Sequence, residues 1–277
     1  MTILLNKNSQ ILIQGISGRY GALHTRQMLE YGTHIVGGVT PGKGGDWFEG
    51  KPVFDTVRRA MDATGATISL IAVPADIAAD AIIEAVDAGI ELIICITEHI
   101  PLHDMLRTRE LLKTQNIQLI GPNSPGVLLP GIATVGIMPP LIAKPGNVGI
   151  VSSSSALLYE TAHALTQADI GQSALVGIGS NSIIGMNFRD ILELFENDLD
   201  TEKIVMISEP GGYDGILEVP ALISRMTRPV VALLPGFSQE AITAETKLAA
   251  ARAAALSHAG VRIARHPEEI PELLLGG

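Results

Sequence analysis

Short apolar runs alternate with longer amphipathic stretches from one end of the chain to the other. In the first half the runs Ile11 to Gln14, His34 to Gly37, Ser69 to Val73, Leu92 to Ile96 and Gln118 to Ile120 have strand length and favour β-branched residues. Between them, Arg19 to Tyr31, Val57 to Thr64, Asp76 to Ala88 and Leu102 to Gln115 read as helices. In the third of these, Ile82, Ile83, Ala85 and Val86 form an apolar stripe. Strand and helix in strict alternation predict right-handed βαβ units on a parallel sheet.

Residues 121–146 break the rhythm. They are rich in Pro and Gly, contain GPNSPG and MPPLIAKPG, and carry no long periodic segment. A second alternation follows, with strands expected at Val148 to Ser152, Ser173 to Ile178, Ile204 to Ser208, Val230 to Leu234 and Val261 to Ala264. Its helices are expected at Ala156 to Gln167, Asn187 to Glu196, Leu217 to Met226, Ala241 to Ser257 and Pro267 to Leu274. The predicted fold class is therefore α/β with two doubly wound domains, residues 1–122 and 147–277, joined by a connection over 123–146. The halves repeat an architecture and share no short sequence repeat.

A length of 277 residues suits two such domains. The hydrophobic fraction of 47% and mean hydropathy of +0.33 are high, yet no run reaches the roughly 18 to 20 apolar residues of a membrane span. The surplus fits parallel strands buried on both faces and an oligomer interface. MTILLNKNSQ has no secretory pattern, so a cytoplasmic protein with no membrane partner is expected. A net charge of -10 argues against nucleic acid as a partner. The single cysteine, Cys95, lies in the apolar run Leu92 to Ile96; it leaves no internal disulfide and no multi-cysteine zinc site, and reads as a small buried side chain.

Candidate chemistry begins at the first strand. The stretch Gln14-Gly15-Ile16-Ser17-Gly18-Arg19-Tyr20-Gly21 sets glycines three apart where a strand turns into a helix. Such a turn lets a phosphate approach the backbone at the positive end of the helix dipole. After the second strand, an NAD site would offer an acidic residue for the ribose hydroxyl. This chain instead offers Gly37-Gly38-Val39-Thr40-Pro41-Gly42-Lys43-Gly44-Gly45. A lysine on a glycine-rich loop suits a ribose phosphate, which leaves NADP and the 3'-phosphate of coenzyme A both open.

The segments QGISGRYGALH, YGTHIVGGVTPGKGG, DAGIELIICITEHIP, IGPNSPG, KPGNVGIVSSS and NFRDILELFE resemble, in register from Met1 to about Gly236, the α-subunits of succinyl-CoA synthetase and related ADP- or GDP-forming acyl-CoA ligases. The resemblance implies a Rossmann-like CoA-binding domain followed by a flavodoxin-like ligase domain. It implies that Ser17, Gly18, Arg19 and Gly21 line the CoA phosphates and that Lys43 meets the nucleotide end. Val73, Pro74, Ile96, Thr97 and Glu98 would border the rest of the cofactor. Residues 121–126 would lie near the catalytic end and open a helix, with Asn123, Ser124, Ser154 and Ser155 around a phosphate. Ser124 stands where the family has cysteine. The implied partners are an ATP-grasp β-subunit, which brings ATP or GTP with Mg, and a small carboxylic acid.

The resemblance fails where the family carries its phosphorylated histidine. Glu209 matches the glutamate that orients that histidine, but the GHAGA loop is missing, and a shorter Gly236-Phe237-Ser238-Gln239-Glu240 connection takes its place. His258, in Ser257-His258-Ala259-Gly260, follows an Ala-rich run and is expected at a helix end in a structural role. The family's Ser-Arg-Ser-Gly-Thr is Ser152-Ser153-Ser154-Ser155-Ala156 here, and its Gly-Gly-Asp-Pro is Gly179-Ser180-Asn181-Ser182. Two functions follow: the CoA-binding subunit of an acyl-CoA ligase with an altered relay, or a non-catalytic CoA-binding regulator or scaffold. An NADP oxidoreductase is a third, for which no hydride-transfer constellation is visible.

Overall fold

The computed structural model describes residues 3–115, 117–209, 218–235 and 244–276, with the helical backbone alone over 244–248. They form two seven-stranded sheets flanked by helices. The first sheet holds β1 (Ile11–Gln14), β2 (Ile35–Val39), β3 (Trp47–Phe48), β4 (Lys51–Phe54), β5 (Ile68–Ile71), β6 (Leu92–Cys95) and β7 (Gln118–Ile120), in spatial order β3-β4-β2-β1-β5-β6-β7. Its neighbours are parallel except for the β3–β4 hairpin. Helices α1 (Arg19–Tyr31), α2 (Val57–Thr64), α3 (Ala75–Ala88) and α4 (Leu102–Gln115) complete this half. All of β1, β5 and β6 is buried, which is why these strands appear in the sequence as unbroken apolar runs.

The second sheet holds β8 (Gly126–Leu129), β9 (Ala133–Gly136), β10 (Pro145–Ser152), β11 (Gln172–Gly177), β12 (Lys203–Ile207), β13 (Val230–Leu233) and β14 (Arg262–Ala264), in order β14-β13-β12-β10-β11-β8-β9. Its helices are α5 (Ser155–Gln167), α6 (Phe188–Asn197), α7 (Val219–Ile223), α8 (Ala244–His258) and α9 (Ile270–Leu275). Strands β10 to β14 run parallel, while β8 and β9 form an antiparallel hairpin against β11.

Every element expected from the sequence is present among the described residues, with ends within three residues of expectation, apart from the expected helix starts at Leu217 and Ala241, which lie outside the described residues. The two hairpins were not expected. β3 has two residues and β4 carries Lys51 and Pro52, so neither shows a strand pattern. The connection over 123–146 contains β8 and β9, whose four-residue runs are hidden among Gly and Pro. Residues 121–126 therefore lead into a strand, not a helix. Gly126 pairs with Gly177 of β11, and the Ser124 hydroxyl holds that register by accepting from Gly126 N at 2.8 Å and donating to Gly177 O at 2.5 Å.

This hairpin ties the halves together. Thr33, just past α1, donates its hydroxyl to Thr134 O and accepts from Thr134 N, at 2.9 and 3.1 Å. Gly131 N donates to the Tyr31 hydroxyl at 2.7 Å. One buried apolar cluster runs from Ile11 and Ile13 through Val127 and Val135 to Val151 and Val176. Each sheet has a point where strand order reverses, between β1 and β5 and between β10 and β12. In open α/β sheets the crevice beyond the strand ends at such a point is where ligands bind.

Candidate functional site

At the first reversal, Gly15 leaves β1 with φ +86° and donates its N–H to Val39 O at 2.8 Å. Gly18 caps α1 and gives its N–H to Gly15 O at 2.9 Å. The N–H groups of Arg19, Tyr20 and Gly21 then form the first helical turn, whose donors have no partner within a helix. A Cβ on Gly21 would run into Gly15 O and the Gly15 carbonyl carbon, so the turn can be this tight only with hydrogen there. Ser17, Gly18 and Arg19 line its open side, with Gly18 and Arg19 exposed. The Ser17 hydroxyl donates to Thr40 Oγ1 at 3.1 Å, and Thr40 in turn donates to Val39 O. Thr40 thus links the turn to the end of β2, a role its place before Pro41 does not announce.

Lys43 stands on the loop that follows. Gly42 N and Gly44 N both donate to one oxygen of Asp55, each at 2.9 Å, and Lys43 N donates to Thr40 O at 3.1 Å. The loop is therefore fixed in shape while the lysine side chain is exposed. Asp55 escaped the sequence reading because it acts twelve residues away, through the β2–β4 pairing.

The other wall is the end of β5 and β6. Val73 and Pro74 lead into α3, and Thr97 donates its hydroxyl to Val73 O at 2.8 Å. Asn123 N donates to Thr97 O at 2.9 Å, so residues 73–74, 96–98 and 123 form one surface. Glu98 is exposed and lies 3.7 Å from His99, an ion pair too open to count for much. Beneath this wall, burial pushes the Cys95 thiol up to about 12, in keeping with an inert side chain.

The second reversal collects the remaining candidates. Ser154 caps α5 through its contact with Leu157 N, Ser155 opens that helix, and Ser152 and Ser154 bond each other. Ile178 N donates to Ser152 O, and Asn123 reaches over to donate to the Ser180 hydroxyl at 3.0 Å. Asn123 and Ser154 thus lie at adjoining strand ends, with Ser124 buried and its hydroxyl committed to Gly126 and Gly177.

Glu209 is half-buried just past β12, its N–H directed at Ser153 Oγ at 3.3 Å. It lines a small cavity with Arg252 of α8. His258 is the last residue of that helix, about 9 Å further along its axis at 1.5 Å per residue. Its exposed ring turns back so that Nδ1 donates to Ala254 O at 2.6 Å. This matches the helix-end position expected for it. Gly211, Gly212 and the Gly236 to Glu240 connection lie outside the described residues. Among the described residues no group of His, Cys, Asp and Glu could hold a metal ion, and no helix is long and apolar enough to cross a membrane.

The fold and its two strand-end crevices define a two-domain α/β protein, a CoA-binding Rossmann-like domain followed by a flavodoxin-like ligase domain. Residues 6–99 match the CoA binding domain family and residues 145–274 the succinyl-CoA ligase like flavodoxin domain family. The chain is 46% identical to the succinate–CoA ligase [ADP-forming] subunit alpha of Aquifex aeolicus, over 98% of this chain and 93% of that protein. It is also 46% identical to subunit alpha 2 of Archaeoglobus fulgidus, over 99% of each. The chain belongs to the succinate–CoA ligase α-subunit family. Among solved structures, an ATP citrate lyase from Methanothrix soehngenii with citrate and coenzyme A superposes with a TM-score of 0.83 at 20% identity, covering 99% of this chain. An acetyl-coenzyme A synthetase from Ca. Korarchaeum cryptofilum superposes with a TM-score of 0.80 at 20% identity over 95% of this chain. These two likenesses show the fold, and the chain spans only 51% and 59% of those longer chains.

Proposed function

We propose that this chain is the CoA-binding α-subunit of an NDP-forming acyl-CoA ligase that works without phosphorylation of His258. The carrying observation is the crevice at the first reversal, where a helix N-terminus closed by Gly21 faces a lysine loop braced by Asp55. Ser17, Gly18, Arg19 and Gly21 would hold the CoA diphosphate, and Lys43 the 3'-phosphate through a charge-assisted contact. Val73, Pro74, Ile96, Thr97 and Glu98 would flank the remainder, which leads toward Asn123 and Ser154. Coenzyme A supplies the thiol that accepts the acyl group. ATP or GTP with Mg, and activation of a small carboxylic acid, would come from an ATP-grasp β-subunit.

Calorimetry with CoA, 3'-dephospho-CoA and NADPH tests the assignment. CoA is expected to bind best, with the Lys43→Ala chain unable to tell CoA from its dephospho form. Tighter binding of NADPH than of CoA would overturn it.

The place of His258 supports the second half of the proposal. A relay histidine must be oriented by a carboxylate and must move between two sites, whereas this ring bonds its own helix, about 9 Å along the axis from Arg252 at the Glu209 cavity. With a β-subunit and γ-labelled ATP, acyl-CoA should form without acid-labile label on the chain. Label that disappears in His258→Ala would restore the relay. The same geometry favours a second reading, a CoA-binding subunit without ligase chemistry, which predicts neither label nor acyl-CoA.

A further inference from the structure

A further cavity is separate from the crevices above. It lies where the halves meet, between α4 and β7 on one side and the 182–187 segment and α6 on the other, with a volume of about 700 Å³. That is the size range of small-molecule sites, which favour such junctions. Leu112, Ile117, Ile184, Met186 and Leu194 give it the apolar part of its lining, and polar side chains such as Gln118 and Asn197 give it the rest. Its far wall is anchored: Gly185 N donates to Gly121 O at 2.9 Å and Met186 N to Leu119 O at 2.7 Å. A Cβ on Gly185 would collide with Leu119 O, so the two segments meet backbone to backbone here.

Four charged side chains line the cavity, and three have partners. Lys113 pairs with Glu110 at 2.9 Å, and Glu193 with Arg189 at 3.0 Å. Asp190 accepts from Asn187 N at 2.8 Å as part of the α6 capping box. Arg109 is the exception: among the described residues its guanidinium makes no hydrogen bond or ion pair, its Nε being buried, and its charge helps hold the neighbouring Glu110 carboxyl below its ordinary range. Arg109 offers a planar fork suited to carboxylate or phosphate.

We infer that this junction cavity binds a small amphipathic anion, its carboxylate or phosphate head on Arg109 and its apolar body among Ile117, Ile184 and Leu194. The global charge of -10 works against anions in general, so selectivity has to come from Arg109, the cation without an ion-pair partner among the described residues, and the apolar part of the lining.

Phenyl phosphate, benzoate and the neutral control benzyl alcohol serve as probes on the full chain, followed by methyl NMR at Ile117, Ile184 and Met186. One or both anions should shift these methyls saturably, benzyl alcohol should bind at least about tenfold more weakly, and Arg109→Met should weaken the anions by roughly tenfold or more. The arms separate the head groups: phosphate-only or carboxylate-only binding names the class. Shifts confined to other regions such as Ile13 or Ile16, no saturable shift at all, or equal affinity in Arg109→Met would overturn the inference. Should Arg109→Met fail to fold, the location of the shifts in the unaltered chain and the benzyl alcohol comparison decide the matter.

Discussion

Replacing Gly15 with alanine tests whether close backbone approach builds the first crevice. Gly15 has φ +86°, and a Cβ there would sit 2.6 Å from Ala72 O and 2.9 Å from Val73 Cγ1. Gly89 provides a matched control, with φ +88° and nothing within 4 Å of an added methyl. The left-handed backbone costs an L-residue about 1–2 kcal/mol at either position. Only at Gly15 must the turn also draw back from the end of β5 by several tenths of an ångström, since ordinary contact begins at 3.4 Å. Overpacking of that kind adds about 1–3 kcal/mol. Gly15→Ala should therefore lose about 2–5 kcal/mol and Gly89→Ala about 1–2. The same retreat moves Ser17 and the first turn of α1 away from Val73 and Pro74, so CoA affinity should fall roughly tenfold or more, a loss of about 1.4 kcal/mol or greater. Gly89→Ala should bind CoA normally. Urea denaturation measures the first difference and calorimetry the second. Equal destabilisation of the two variants, or unchanged CoA affinity in folded Gly15→Ala, would refute the close-approach reasoning.

Asp55→Ala frees both Gly42 N and Gly44 N, so the Lys43 loop should loosen and the preference for CoA over 3'-dephospho-CoA should shrink, as read by paired calorimetric titrations. Ser124→Ala leaves Gly126 N and Gly177 O without their buried partner and should cost about 1–3 kcal/mol in chemical denaturation. Cys95 titrates at about 12 when folded against 9.0 for an ordinary thiol. The unfolded chain therefore loses this proton first, and the stability contributed by the neutral thiol, full below pH 9, should decline as pH rises toward 12. Cys95→Ala should flatten that decline, and iodoacetamide should label the native chain far more slowly than the unfolded one.

Periodicity by itself determined the βαβ order, the two doubly wound halves and the core strands, because a strand buried on both faces must be apolar at every position, as in Leu92 to Cys95. The glycines at 15 and 21 were legible for a similar reason: the turn after β1 admits little else there. Two-residue and four-residue strands carry too few positions for a period, so the β3–β4 and β8–β9 hairpins came only with the tertiary structure. The same holds for Ser124, which reads as a helix-opening serine but is the clasp between β8 and β11. Lys43 was visible as a charge among glycines, but its loop owes its shape to Asp55, whose contact exists only once β4 has paired with β2. Arg109 sits among ordinary helical charges in the sequence. Only the tertiary structure brings it to one cavity with the 182–187 segment, about seventy residues away, and leaves its Nε buried without a hydrogen-bond partner among the described residues.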